Sequence, residues 1–381
     1  LLSFVLITSC KDKESDNKTL VKDTLINDST EIIKNLEARE DSIKLAEALY
    51  LQSKFTFVIE ADIETECVNA EITEDAADDP AIWLNESKPE RSLILGTNKI
   101  GGLYVYDIYG KEKDYKEIGL INNVDLRDGF IYDGNVVVLV AASNRTNNTI
   151  SLLYIDRNSG ELSDIIAEIP SSADEVYGLC MHKDLKNKQY FVLVNGKAGL
   201  FEQWKVYEDS IGKISYNLER KFSVGSQPEG VAVNDKTGII YLGVEQEGIF
   251  KLNADPQKKD VPERIPESSD SSLHISYDIE GMEIFEYKGK DYLLVSVQGN
   301  FSYAIYEIGE EDRYLGSFVI SDGKIDGVEE TDGLDVVSTD LLKAYPEGLI
   351  VVQDGFNYDS EELESQNFKY ISLKKISKLL K

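Results

Sequence analysis

The stretch LILGTNKIGGLYVYDI, residues 93–108, consists of two apolar, β-branched and aromatic runs joined by a polar, glycine-containing turn. That is the pattern of a β-hairpin. It returns at 137–155 (VVLVAASNRTNNTISLLYI), 190–207 (YFVLVNGKAGLFEQWKVY), 239–252 (IIYLGVEQEGIFKL), 292–308 (YLLVSVQGNFSYAIYEI) and 349–373 (LIVVQDGFNYDSEELESQNFKYISL). A second series precedes each hairpin: Asp78-Asp79-Pro80-Ala81-Ile82-Trp83, Asn123-Val124-Asp125-Leu126, Val176-Tyr177-Gly178-Leu179, Pro228-Glu229-Gly230-Val231, Ile279-Glu280-Gly281-Met282 and Thr331-Asp332-Gly333-Leu334. A unit that returns every ~50 residues marks a propeller or another repeat array. With three to four strands per copy and no strong helical stretch after residue 50, the expected fold is all-β, a six-bladed β-propeller. Residues 55–63 (FTFVIEADI) are expected to pair with the last blade and close the ring.

In a propeller the innermost strand of each blade lines a central channel, so the groups that open those strands converge on one end of it. They carry Asp78, Asp79, Tyr177, Glu229, Glu280 and Asp332, and the hairpin turns add Lys99, Arg145, Lys197, Glu245, Gln298 and Asp354. Asp278 lies two residues before Glu280, on the same side of a strand. Convergent carboxylates repel unless a cation joins them. An all-oxygen ligand set suits Ca²⁺, with Mg²⁺ or Mn²⁺ as second choices. Lys99, Arg145 and Lys197 either pair with the neighbouring acids or recognise a phosphate, Arg as a bidentate fork and Lys as a point charge. Tyr177 is a further donor to the same group. Cations around a phosphate stabilise the charge that develops in phosphoryl transfer.

Composition limits the alternatives. Seventy acidic against 40 basic residues in a chain of 381 give a net charge of −30, which repels nucleic acid and anionic membrane surfaces. By itself that acidity implies only a solvated surface. His182 and His274 are far apart, and Cys10, Cys67 and Cys180 have no metal-ligand spacing, which argues against zinc chemistry. Trp83 and Trp204 fall within strand patterns and His182 just after one, as core and structural residues.

The N-terminus, Leu1 to Cys10, reads as the tail of a signal peptide whose last residues, Ile7-Thr8-Ser9-Cys10, resemble a bacterial lipobox. Cleavage before Cys10 would leave a lipidated cysteine. Residues 11–52 read as a polar tether followed by a short helix over 31–50, and residues 53–381 as the propeller. The expected product is a monomeric exported lipoprotein, periplasmic or on the cell surface, that meets the membrane only through its lipid.

At its repeat positions the chain resembles the β-propeller phytases. The matching motifs are Asp75-Ala-Ala-Asp-Asp-Pro-Ala-Ile-Trp83, Thr97-Asn98-Lys99, Asn122-Asn123-Val124-Asp125, Ala142-Ser143-Asn144-Arg145, Asp174-Glu175-Val176-Tyr177-Gly178 and Gly196-Lys197. They continue with Glu229-Gly230, Asp278-Ile279-Glu280-Gly281, Gln298-Gly299-Asn300, Thr331-Asp332-Gly333, Gln353-Asp354-Gly355 and Gln366-Asn367-Phe368-Lys369. The resemblance implies hydrolysis of calcium-phytate, the calcium complex of myo-inositol hexakisphosphate, by attack of a calcium-bound water. It further implies that Asp78, Glu229, Glu245, Asp278 and Glu280 ligate the catalytic calcium ions, and that Asp79, Asp326 and Asp354 hold a structural one. Lys99, Arg145, Tyr177 and Lys197 would bind the phosphate being cleaved.

Ile100 follows Lys99 where many relatives have a second Lys, Ala198 follows Lys197 where an acidic residue is common, and Val244 precedes Glu245 where some have paired acids. The Asp322–Asp332 segment also reads one residue shorter. Two other readings stay open on the sequence: a calcium-bearing propeller hydrolase of the lactonase type, and a surface lipoprotein that binds phosphorylated ligands without cleaving them. The cations in phase with the repeat weigh against the lactonase.

Overall fold

A computed structural model describes residues 41–258, 260–270, 274–341 and 343–380. The chain divides into two compact units, Leu1–Leu49 and Tyr50–Lys381. In the first, the residues described are helical from residue 41. Cys10, the lipobox and the tether as far as residue 40 lie outside the described residues.

The second unit is a ring of six antiparallel blades. The innermost strands are Ala77–Trp83, Ile121–Tyr132, Val176–Asp184, Pro228–Asn234, Ile279–Tyr287 and Leu334–Val337. Each begins a sheet whose further strands follow outward. The second strands, Leu93–Asn98, Asn135–Asn144, Gln189–Gly196, Ile239–Val244, Lys290–Val297 and Leu349–Asp354, are the first halves of the hairpins read in the sequence. Each innermost strand touches those of both neighbouring blades, and the last meets the first.

These strands are buried on both faces, which is why they read as nearly continuous apolar runs. Between each pair of blades lies one hydrophobic cluster. Leu95, Leu103 and Val105 of the first blade pack on Val138, Val140 and Leu153 of the second. Tyr104 and Tyr106 of the first pack on Val351, Phe368 and Tyr370 of the last.

The ring closes differently from the single pairing expected of residues 55–63. Ile63–Glu64 does pair with Asn367–Ser372 as the outer strand of the last blade. Val58–Glu60 instead runs parallel to Arg313–Ser321 as a fifth strand on blade five. There it covers an edge whose backbone groups would otherwise lack partners, and it adds Ile59 to the cluster containing Phe318 and Ile320.

Candidate metal and phosphate site

Five innermost strands open with the same irregularity. Their pairing runs Ala77↔Asn98 then Pro80↔Gly96, Ile121↔Asn144 then Val124↔Ala142, and Val176↔Gly196 then Leu179↔Val194. It continues Pro228↔Val244 then Val231↔Leu242, and Ile279↔Val297 then Met282↔Val295. Two residues thus oppose one, a β-bulge that re-aims side chains. In the sixth blade pairing starts at Leu334↔Val352, and Asp332-Gly333 take the equivalent places. The first bulge position carries Asp78, Asn122, Tyr177, Glu229, Glu280 and Asp332.

The second bulge position is Asp79, Asn123, Gly178, Gly230, Gly281 and Gly333. A Cβ on Gly178 would lie 1.9 Å from the carbonyl oxygen of Glu229, and one on Gly230 2.1 Å from that of Glu280. Glycine is required there because the next blade's backbone passes. The amides freed by the bulge find partners: Asp79 donates to Thr97 Oγ1 at 2.8 Å and Asn123 to Ser143 Oγ at 2.9 Å.

The turn residues also fall in register. The amides of Lys99, Arg145, Lys197, Glu245 and Gln298 donate to the carbonyls of Ala76, Leu120, Glu175, Gln227 and Asp278, at 2.7–3.2 Å, in each case to the residue just before the innermost strand. Asp354 is the exception. It ends its strand, one residue before the turn position, and consecutive strand residues face opposite ways.

The acidic half of the site is the trio Glu229, Glu245 and Glu280, which bring one oxygen each within 4.8 Å of one another. Glu280 Oε2 is buried with no hydrogen-bond donor. Burial, and then the neighbouring Glu229, push Glu245 up to about 8, with Asp278 adding to the effect. Burial pushes Asp78 up to about 7 despite Lys99 beside it. Asn122 Nδ2 donates to Asp78 at 3.1 Å and Glu229 at 3.3 Å, spanning the channel. Crowded carboxylates with an unpartnered buried oxygen and an all-oxygen donor set fit calcium.

The cationic half adjoins it. Lys99 Nζ meets Asp75 at 2.7 Å, Asp332 at 2.9 Å and Asp78 at 3.1 Å. Arg145 Nη2 and Lys197 Nζ both reach Glu175 Oε1, at 3.0 and 2.9 Å. Arg145 Nε is buried without an acceptor. Lys197 Nζ also lies 4.8 Å from the centre of the Tyr177 ring. Burial and the charges of Glu229 and Glu280 raise the Tyr177 phenol far above its ordinary value, so it stays protonated as a donor. A cleft of ≈ 420 Å³ runs from Lys99, Tyr177 and Glu280 past Asp332 to Ile72 and Phe356.

Asp326 and Asp354 come together on Lys369 Nζ, whereas Asp79 Oδ2 accepts from the Val124 amide at 3.0 Å. The charges that act most on Asp79 are Asp78 and Asp125, whereas those that act most on Asp354 are Lys369, Asp326 and Glu329. Sequence reasoning met Asn122, Asp75 and Glu175 only within the family motifs and gave them no role in the site. Aligning Gly178, Gly230, Gly281 and Gly333 with Asn123 would have placed Asn122 in phase with Asp78. Asp75 and Glu175 lie on the entry loops, outside the repeat pattern.

The family model described as Phytase matches residues 28–381. The 3-phytase of Bacillus subtilis (strain 168) is 40% identical over 343 residues, covering 87% of this chain and 88% of that relative. A Lactobacillus plantarum protein of solved structure matches with a TM-score of 0.50 at 12% identity, over 78% of this chain and 89% of that one, a likeness of fold alone.

Proposed function

This chain belongs to the phytase family, and from that premise we propose that its phosphoric monoester hydrolysis, the release of phosphate from phytate, depends on calcium held at the channel mouth. The observation that carries the reading is the adjacency of two incomplete halves. One is the Glu229, Glu245 and Glu280 trio with its unpartnered oxygen; the other is the Arg145 guanidinium with its unpartnered Nε. The first half has a buried carboxylate oxygen without a partner and the second a buried guanidinium N–H without an acceptor.

Glu229, Glu245 and Glu280, with Asp278 and Asp78 beside them, would hold the metal. Bound there, calcium would supply a polarised water as nucleophile and offset the charge of the phosphate. Arg145 offers its fork to two phosphate oxygens, and Lys197 and Lys99 add point charges. Tyr177 donates from a phenol that stays protonated. Calcium-phytate fits a protein of net charge −30 better than free phytate does, because the accompanying cations screen the repulsion between polyanions.

The same reading makes the protein a monomeric bacterial lipoprotein, exported and anchored through Cys10 on the periplasmic or outer face. Among the described residues no helix is long and apolar enough to cross a membrane. The site assignment is tested by Arg145→Ala and Glu229→Ala, each checked for fold by circular dichroism and assayed for phosphate release from phytate. Both should be inert, and full activity in either would contradict the assignment.

A further inference from the structure

The six groups at the first bulge position are four acids, Tyr177 and one side-chain amide, Asn122. We infer that Asn122 is a positioning residue for the hydrolysis: its amide couples the carboxylates that would hold the metal to the guanidinium that would hold the phosphate. This inference rests on the calcium–phosphate reading of the channel mouth and gives Asn122 a part in it.

Asn122 is fully buried. Its Nδ2 donates to Asn123 Oδ1 at 2.9 Å, to Asp78 Oδ2 at 3.1 Å and to Glu229 Oε1 at 3.3 Å. Its Oδ1 accepts from Arg145 Nη1 at 3.4 Å. Two N–H bonds are thus shared among three acceptors, two of them carboxylates from the first and fourth blades. The amide has one allowed sense. Turned over, it would set Oδ1 against two carboxylates and Nδ2 against the guanidinium, acceptor on acceptor and donor on donor.

The residue type follows from the place. A carboxylate here would repel Asp78 and Glu229, and it would pair with Arg145 and neutralise the cation that a phosphate needs. A lysine would sit as a cation among the carboxylates that are to receive a metal. The neutral amide does neither. Its donors favour the charged forms of Asp78 and Glu229, and its oxygen steadies the guanidinium without cancelling its charge. The second blade fixes both ends of this contact. Ile121 pairs with Asn144, and the Arg145 amide donates to the Leu120 carbonyl at 2.8 Å. Asn122 and Arg145 are therefore held on one piece of backbone, and Glu175 takes the guanidinium at Nη2.

Calcium titration by calorimetry without phytate, on the wild type, Glu229→Ala and Asn122→Leu, tests this together with kinetics. The binding step that Glu229→Ala removes is the one at the channel mouth. In Asn122→Leu that step should weaken about tenfold or more, the usual cost of losing a group that orients a metal ligand. At saturating calcium its kcat for phytate should stay about tenfold below the wild type, because Arg145 has lost its acceptor. A merely structural role would lower the melting temperature in chelator and leave both constants unchanged. Asn122→Ser, whose hydroxyl is too short to span the two halves, should show the same two losses and is read in its place if the leucine variant does not fold. Wild-type values of both constants would overturn the inference, and a loss in one alone would overturn the coupling. A wild type with no step dependent on Glu229 would contradict the calcium reading itself and take this inference with it.

Discussion

A Cβ on Gly333 would lie 2.3 Å from Oδ1 of Asp79 and 2.5 Å from its Cα. The innermost strands of the last and first blades meet at this point, and the Gly333 amide donates to the Asp78 carbonyl at 3.0 Å. Asp78 and Asp79 are thus aimed by a backbone contact that tolerates no side chain opposite. Gly333→Ala should destabilise the protein by about 1–3 kcal/mol, the usual range for overpacking. Urea unfolding followed by circular dichroism measures it, and an unchanged midpoint would show that the strands separate freely.

Arg145 Nη2 and Lys197 Nζ both form ion pairs with Glu175 Oε1, which sets the spacing of the two cations before any phosphate arrives. Glu175 is therefore a positioning residue. Glu175→Ala should lower kcat for phytate roughly tenfold, about 1.4 kcal/mol in the barrier, with a smaller change in KM. Glu175→Gln keeps an acceptor oxygen and should recover most of the loss. Equal activity in all three proteins would remove the role.

Stability without metal should fall as pH rises. Asp78 is pushed from an ordinary 3.8 up to about 7 and Glu245 from 4.5 up to about 8, in both cases mainly by burial. Between the unfolded and folded values the native state binds more protons than the unfolded one, so the slope of stability against pH is negative there. In chelator the melting temperature should drop between about pH 4 and about pH 8. Calcium, which favours the charged carboxylates, should remove the drop. A melting temperature in chelator that is flat or rising over this range would contradict it.

Much of the ring was legible because each blade repeats a hairpin of two apolar, β-branched runs joined by a polar turn. The bulge was not, because it exists only in the pairing of two strands: nothing in Asn122-Asn123 alone says that Asn122 faces the channel. The same limit explains Asp354. Its place in the repeat looked equivalent to Lys99, but a one-residue offset in a strand sends it to the opposite face, toward Lys369. The entry loops hold Asp75 and Glu175 with no periodicity to mark them. The two-part closure by Val58–Glu60 and Ile63–Glu64 depends on an unpaired edge of blade five that the N-terminal sequence does not reveal.

The central claim is that the carboxylate trio and the cation set work only when calcium joins them. The most direct measurement is phosphate release from phytate by the wild-type protein in excess chelator, followed by titration with Ca²⁺. The account predicts that chelator abolishes release and that calcium restores it. Full release in excess chelator would contradict it.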